Sequence, residues 1–401
     1  MRTFFFSPTL SLMPKFVFRV GALAIALLTP VLANAQCPPL FTKVIDGGFG
    51  DRFNIYGHGV VNFGNHLYIG TLNEHNGSEI WRYDGTTWEQ VVDAGLDSIA
   101  NESVRSLIVF GGQLYAGTYN PTNGAEVWRS NDGVNWEKKL VAGFGDTANI
   151  SVRGMEVFNG YLYIGTQNNV NPGQLWRTVD GDFWEPVTLT GFGNPNNSSI
   201  HFLKEFSGKL YAGTRNTPDG TELWRSTDGV DFVPVVGSGA STPSGFGLSN
   251  GAIFSMGVFL GQLFVGTADW INGFSVHRSR DGRNFTLVTP NGFGDKDNVY
   301  AWIFRVHEDA LWLGGMNKNV GIEGARLWRT FDGNTWEEMV GPSGTYMSDG
   351  FDDLHNWGIR NMVLYKGKLH LTTGQCWYTE CDPIVTGTQV WQWSGETTCG
   401  K

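Results

Sequence analysis

The segment Leu114-Tyr115-Ala116-Gly117-Thr118 decides the fold, because it recurs. Earlier and later copies are Leu67-Tyr68-Ile69-Gly70-Thr71, Leu162-Tyr163-Ile164-Gly165-Thr166 and Leu210-Tyr211-Ala212-Gly213-Thr214. Looser copies follow at Leu263-Phe264-Val265-Gly266-Thr267, Leu311-Trp312-Leu313-Gly314-Gly315 and Leu369-His370-Leu371-Thr372-Thr373. The leucines are spaced by 47, 48, 48, 53, 48 and 58 residues. Repetition at a fixed period of this length marks an array of identical supersecondary units.

The second copy shows what one unit contains. Val104 to Phe110 is an apolar run that predicts an inner strand, turned by Gly111-Gly112. Gln113 to Thr118 alternates as a second strand, and Ala125 to Ser130 predicts a third. Asn131-Asp132-Gly133 is a hairpin turn in which glycine takes positive φ. Trp136 to Val141 predicts a fourth strand, and Gly143-Phe144-Gly145-Asp146 leads to the next unit. Four strands per unit, seven times, predict an all-β, seven-bladed β-propeller of four-stranded antiparallel blades. Phe41 to Ile45 reads as a fourth strand lacking its first three, and the C-terminal unit supplies only three. The N-terminal strand is therefore expected to complete the last blade. Cys37 and Cys399 flank that seam, so one disulfide is expected there and another between Cys376 and Cys381.

Ser130-Asn131-Asp132-Gly133-Val134-Asn135-Trp136 resembles the Asp-box of BNR-type propellers, and Asp-Gly recurs at 84, 180, 228, 281 and 332. The resemblance covers nearly the whole mature chain. Here Asp and Gly are adjacent, whereas the usual box has a residue between them. The resemblance implies the propeller fold for exported repeat proteins. It leaves function open, since such propellers include sialidases, other glycan-active enzymes and scaffolds.

Composition agrees with many short strands and tight turns. Glycine is 55 of 401 residues, against an average near 7%. Aromatics reach 14% and charged residues only 16%, which excludes a disordered chain or a helical bundle. Residues 1–35 read as a cleaved signal peptide: Arg2, Lys15 and Arg19 precede the apolar run from Gly21 to Leu28, and Ala33-Asn34-Ala35 offers the small residues of a cleavage site. A lipoprotein reading is disfavoured because Gln36 precedes Cys37. Residues 36–401 are expected to be a single secreted or periplasmic domain with no membrane span. Removing three basic and no acidic residues takes the net charge from −10 to −13. Such acidity argues against nucleic acid as a partner. The expected state is a monomer.

Residues repeated in every unit serve the fold; those that break the repeat mark a site. Asn54, Asn101, Asn149, Asn197, Asn250, Asn298 and Asn356 share one phase before the inner strand, most with Asp or Asn a few residues earlier. Calcium ligation and Asx turns both fit that pattern, and turns are favoured. No cofactor is expected, and no zinc signature is present. Four residues on from each Asn stand His58, Arg105, Arg153, His201, Phe254, Trp302 and Arg360. Two residues on are Tyr56, Ser103, Ser151, Ser199, Ala252, Tyr300 and Gly358. Loops after the second strands add Tyr119, Gln167, Arg215, Trp270, Met316 and Trp377.

These positions are expected to ring one mouth of a central channel. Arginine forks hold carboxylate or sulfate. Arg105, Arg153, Arg360, Arg215, Trp302 and Tyr119 are therefore the expected ligand residues for an acidic glycan: a uronate, a sialate or a sulfated sugar. If the glycan is cleaved, His58 or His201 is the base and Tyr56 or Tyr300 the acid, as in a polysaccharide lyase. A sialidase-like hydrolase is the other enzymatic reading, although the sialidase N-terminal arginine motif is absent. Two non-enzymatic readings stand beside these. One is a multivalent lectin using the repeated Glu79-Ile80-Trp81-Arg82 pattern, although strand alternation also places that Trp in the core between blades, which is the favoured reading of it; the other is a protein-interaction propeller. The insertions Gly237 to Gly245 and Gly341 to Gly350 are expected on the mouth face as mobile lids or partner contacts.

Overall fold

A computed structural model of the chain describes residues 40–237, 239–240, 246–376 and 386–395. The expected signal peptide, and Cys37, Cys381 and Cys399 of the expected disulfides, lie outside the described residues; Cys376 is buried.

Strand β1 spans Phe41–Ile45. Six four-strand units follow in chain order. The first holds β2 Tyr56–Phe63, β3 His66–Leu72, β4 Ile80–Tyr83 and β5 Trp88–Val92. The second holds β6 Ser103–Phe110, β7 Gln113–Tyr119, β8 Val127–Ser130 and β9 Trp136–Leu140. The third holds β10 Asn149–Phe158, β11 Tyr161–Asn168, β12 Leu175–Thr178 and β13 Glu185–Thr188. The fourth holds β14 Ser199–Phe206, β15 Lys209–Arg215, β16 Leu223–Ser226 and β17 Phe232–Val236. The fifth holds β18 Ala252–Phe259, β19 Gln262–Ala268, β20 Val276–Ser279 and β21 Thr286–Leu287. The sixth holds β22 Asn298–His307, β23 Ala310–Asn317, β24 Arg326–Thr330 and β25 Glu337–Val340. The chain then runs through β26 Asn356–Tyr365, β27 Lys368–Gln375 and β28 Val390–Trp393, and β28 pairs antiparallel with β1.

The expectation of seven separate four-stranded blades is corrected by the hydrogen-bond ladder. Neighbouring units are joined through their inner strands. Leu72 pairs with Ser103, Tyr119 with Ser151, Gln167 with Ser199 and Arg215 with Ala252. Ala268 pairs with Tyr300, Met316 with Gly358 and Gly374 with Tyr56, which closes the circuit. The described strands thus form one 28-stranded sheet: a closed barrel of 14 strands with 14 more attached outside. The physical reason is the glycine in each Leu-Tyr-x-Gly-Thr segment. A Cβ on Gly70 would stand 2.5 Å from Val104 Cγ1, and one on Gly165 would stand 2.2 Å from the Ile200 carbonyl oxygen. Lacking that carbon, adjacent inner strands approach closely enough to share backbone hydrogen bonds.

Most units are braced by the same polar hub. Asn54 is fully buried; its Nδ2 donates to Gly48 O at 2.8 Å and to Glu79 Oε2 at 2.7 Å. Glu79 also accepts from Trp81 Nε1 at 2.6 Å. Asn101 with Glu126, Asn149 with Gln174, Asn197 with Glu222 and Asn356 with Gln389 repeat the geometry. Glutamine serves as well as glutamate, so the position needs an acceptor and not a charge. The Trp of this strand is covered by the Phe of the preceding Gly-Phe-Gly loop: Phe49 stacks on Trp81 at 5.0 Å and Phe293 on Trp328 at 4.5 Å. Phe49 adopts φ 63, a left-handed conformation that costs about 1–2 kcal/mol without compensation. The stack, worth about 0.5–1.5 kcal/mol beyond its burial, offsets much of that.

Two sequence expectations resolve here. Where the Glu/Gln-x-Trp pattern is present, its acceptor and Trp are engaged in the internal brace, as core packing requires. The segment from Gly341 to Gly350 folds back on β25, through Thr345 N to Glu338 O at 2.9 Å, and packs Tyr346 against Trp393 at 5.5 Å. It therefore belongs to the outer edge and not to a lid over the channel. Part of the other insertion, Ser238 and residues 241–245, lies outside the described residues.

Candidate functional site at the channel mouth

The inner strands share one register slip at the same position in every unit, and β10, β22 and β26 carry a second one nearer their start. The ladder skips Arg105 between Val104 and Ser106, Arg153 between Val152 and Gly154, and His201 between Ile200 and Phe202. It skips Phe254, Trp302 and Arg360 in the same way, and His58 together with Gly59 in the first unit. A bulge leaves one residue unpaired and re-aims its side chain. The seven bulged positions are the ring read from the sequence, and they meet on the channel axis.

The ring divides the channel. On the mouth side lies a cavity of about 460 Å³ lined by Tyr56, His58, Arg105, Arg153, Arg215 and Arg360 among its polar groups. Its apolar wall includes Phe254, Trp270, Tyr300, Trp302, Trp357 and Met316. No Asp or Glu is among its lining residues. Eight of the ten expected site residues meet here: Tyr56, His58, Tyr300, Arg105, Arg153, Arg215, Arg360 and Trp302.

His201, also a ring member, lines the inner side of the channel instead, its ring 4.5 Å from that of Phe254. Tyr119 stands outside the cavity lining, packed against the Tyr56–Trp302 cluster. Its hydroxyl is pushed up to about 12 by burial, then by Glu102 and Glu74. Burial, then Glu74, in turn raises Glu102 to about 7. With acids beside it, Tyr119 is a poor contact for an anion.

The ring is short of partners. Arg153 Nε donates to Gln167 Oε1 at 2.7 Å, and the Arg360 guanidinium lies 5.3 Å from the Trp302 ring centre. Arg105 Nη1 meets His58 Nε2 at 3.3 Å, while its Nε is buried with no hydrogen-bond partner. No carboxylate forms an ion pair with any of the four arginines among the described residues. Burial, then Arg215, lowers Arg153 to about 9; burial, then Arg153, lowers Arg360 to about 10. Both remain cationic at neutral pH.

His58 is held well below its usual range by burial, then by Arg360 and Arg153, so its ring is neutral. With Arg105 donating to Nε2, the proton sits on Nδ1 and is donated to Ser103 Oγ at 2.7 Å. The ring lies flat on Tyr56 at 4.9 Å. Tyr56 Oη accepts from Trp357 Nε1 at 2.9 Å, and Tyr300 Oη from Trp270 Nε1 at 2.6 Å. Burial first raises the Tyr300 hydroxyl, keeping it protonated.

Sequence reasoning missed Trp357 and Arg305. Arg305 breaks the repeat three residues beyond Trp302, a signal that was present. The loop asparagines and aspartates, weighed above as calcium ligands, spend their oxygens on one another: Asp51 Oδ2 accepts from Asn73 and Asn76 at 2.9 and 2.8 Å. Among the described residues no group of His, Cys, Asp and Glu is arranged to hold a metal.

No family model and no curated protein matches the chain. Solved structures do. A chain from a study of two prolyl endopeptidases aligns at 9% identity with a TM-score of 0.50, covering 80% of this chain and 46% of that one. The computationally designed Ika8 protein aligns at 11% identity and a TM-score of 0.45, covering 80% and 81%. At such identity the endopeptidase likeness shows the fold alone: a closed, propeller-like all-β architecture.

Proposed function

We propose that the protein binds an acidic glycan, a uronate, sialate or sulfated sugar, at the channel mouth. The observation that carries this is the convergence of Arg105, Arg153, Arg215 and Arg360 on one cavity with no acidic residue in its lining. Like charges brought together without a counter-charge cost free energy that an anionic ligand returns. Trp270 and Trp302 offer flat faces for the sugar ring.

The lining supports one chemistry beyond binding. Hydrolysis by paired carboxylates has no residues to use here. β-Elimination has them: a guanidinium neutralises the uronate carboxylate, neutral His58 takes the adjacent proton, and Tyr56 protonates the departing oxygen. Trp357 Nε1 donates to Tyr56 Oη at 2.9 Å and fixes the hydroxyl in the lining. His58 Nε2 becomes free once Arg105 turns to the substrate.

The test is calorimetry with pectate, alginate, ulvan and glycosaminoglycan fragments, with ultraviolet absorbance followed for unsaturated products. One site per chain, weakened roughly tenfold or more by Arg153→Ala, is expected. Several equivalent sites insensitive to Arg153→Ala would overturn the mouth assignment. Binding without product would leave a lectin in place of a lyase.

A further inference from the structure

Below the ring the channel opens into a second chamber of about 210 Å³. It is lined by the residues that follow the bulges on the inner strands, such as Ser106, Gly154 and Asn361. Arg105, Arg153 and Arg360 reach it from above, as does His58. Arg305 and His201 line this chamber and not the mouth cavity. Four guanidiniums and two imidazoles therefore border a small space with no carboxylate in its lining.

Several of these groups carry unspent hydrogen-bonding capacity. His201 is 5% exposed, and its Nδ1 has no partner among the described residues. Arg105 Nε is likewise buried and unpartnered. Among the described residues Arg305, a third such group, donates through Nε to Met362 O at 2.8 Å. Water fills such a space but cannot offset its charge. A tetrahedral oxyanion offers several acceptors to several forks at once.

We propose that the inner chamber is a binding site for one inorganic oxyanion, phosphate or sulfate, held by Arg105, Arg305, Arg360 and His201 beneath the mouth ligand. The ion holds the undersides of guanidiniums whose other faces meet the glycan. The two sites share Arg105, Arg153 and Arg360, yet each has an arginine of its own: Arg305 for the chamber, Arg215 for the mouth.

That separation supplies the experiment. The protein is exchanged into zwitterionic buffer and titrated with inorganic phosphate, sulfate and chloride, followed by calorimetry and thermal unfolding. Saturable binding of one phosphate or sulfate per chain with a raised unfolding temperature is expected. Arg305→Gln should weaken phosphate binding roughly tenfold or more, and Arg215→Gln should leave it unchanged. Because Arg305 also supports Met362, His201→Phe serves as a second variant and should weaken phosphate in the same way. Absence of saturable oxyanion binding to the wild type overturns the proposal. So does equal stabilisation by chloride, or a loss of phosphate in Arg215→Gln but in neither chamber variant. A failed glycan screen leaves every one of these outcomes readable.

Discussion

Replacing Asn54 with Asp changes one donor group into an acceptor and tests what the repeated asparagine does. Asn54 Nδ2 faces two acceptors, Gly48 O at 2.8 Å and Glu79 Oε2 at 2.7 Å, with no solvent access. In Asn54→Asp both bonds are lost. The neutral one is worth about 0.5–1.5 kcal/mol and the carboxylate one about 1.5–3 kcal/mol. Two carboxylates then stand in contact, and burial already raises Glu79 above its usual range. Sharing one proton relieves the clash, but keeping a carboxyl protonated at neutral pH costs about 4 kcal/mol. Either route destabilises the fold by about 3–5 kcal/mol. Denaturant unfolding of wild type, Asn54→Asp and Glu79→Gln, with and without calcium, measures it. Glu79→Gln should stay within about 1 kcal/mol of wild type, since Gln174 and Gln389 fill that position elsewhere. An Asp variant as stable as wild type, or one rescued by calcium, would refute the hub and restore metal ligation.

Gly165→Ala should destabilise by more than about 2 kcal/mol, because its Cβ would meet the Ile200 carbonyl oxygen at 2.2 Å. Gly160→Ala, with open space around it, should lose only about 1 kcal/mol to its positive φ; equal losses in the two unfolding curves would contradict the close approach of units. Acid should weaken the fold through its buried histidines. Burial holds His370 down to about 4 and keeps His58 and His201 well below their usual range. The unfolded chain binds these protons first, so stability is complete above about pH 6.5 and falls as pH drops towards 4. Each histidine adds up to about 1.4 kcal/mol per pH unit, and a His370→Asn variant should show the shallower slope in urea titrations. A pH-independent midpoint over that window would show the histidines protonated in the folded state.

The strands and their order are legible because Leu-Tyr-x-Gly-Thr alternates and its glycine is punctual. Joining of adjacent units into one sheet is not, since it rests on single residue pairs such as Leu72 with Ser103. Ring positions could be counted from the asparagines, yet the bulges that aim them are properties of pairing and leave no composition signal. Glu79 and Trp81 look like sugar-binding types, and only the third partner, Asn54, reveals them as an internal brace. Tyr119 shares the phase of Arg215 but stands beside Glu102 and Glu74, neighbours that a count along one unit does not show.

The ladder between β1 and β28 sets Phe41 against Trp393. Closing so long a loop adds little entropy beyond a shorter one, because the cost grows only logarithmically with length. Its consequence is temporal. Strand β1 emerges first during synthesis and finds its partner last, so a strand with unpaired amides must wait while the rest of the sheet assembles. For that interval two open sheet edges exist that the finished ring does not have, and chains caught then can pair with each other instead of with themselves. Assembly of this protein is therefore most exposed at its seam, and a permuted chain that carries β1 directly after β28 should refold with less aggregation.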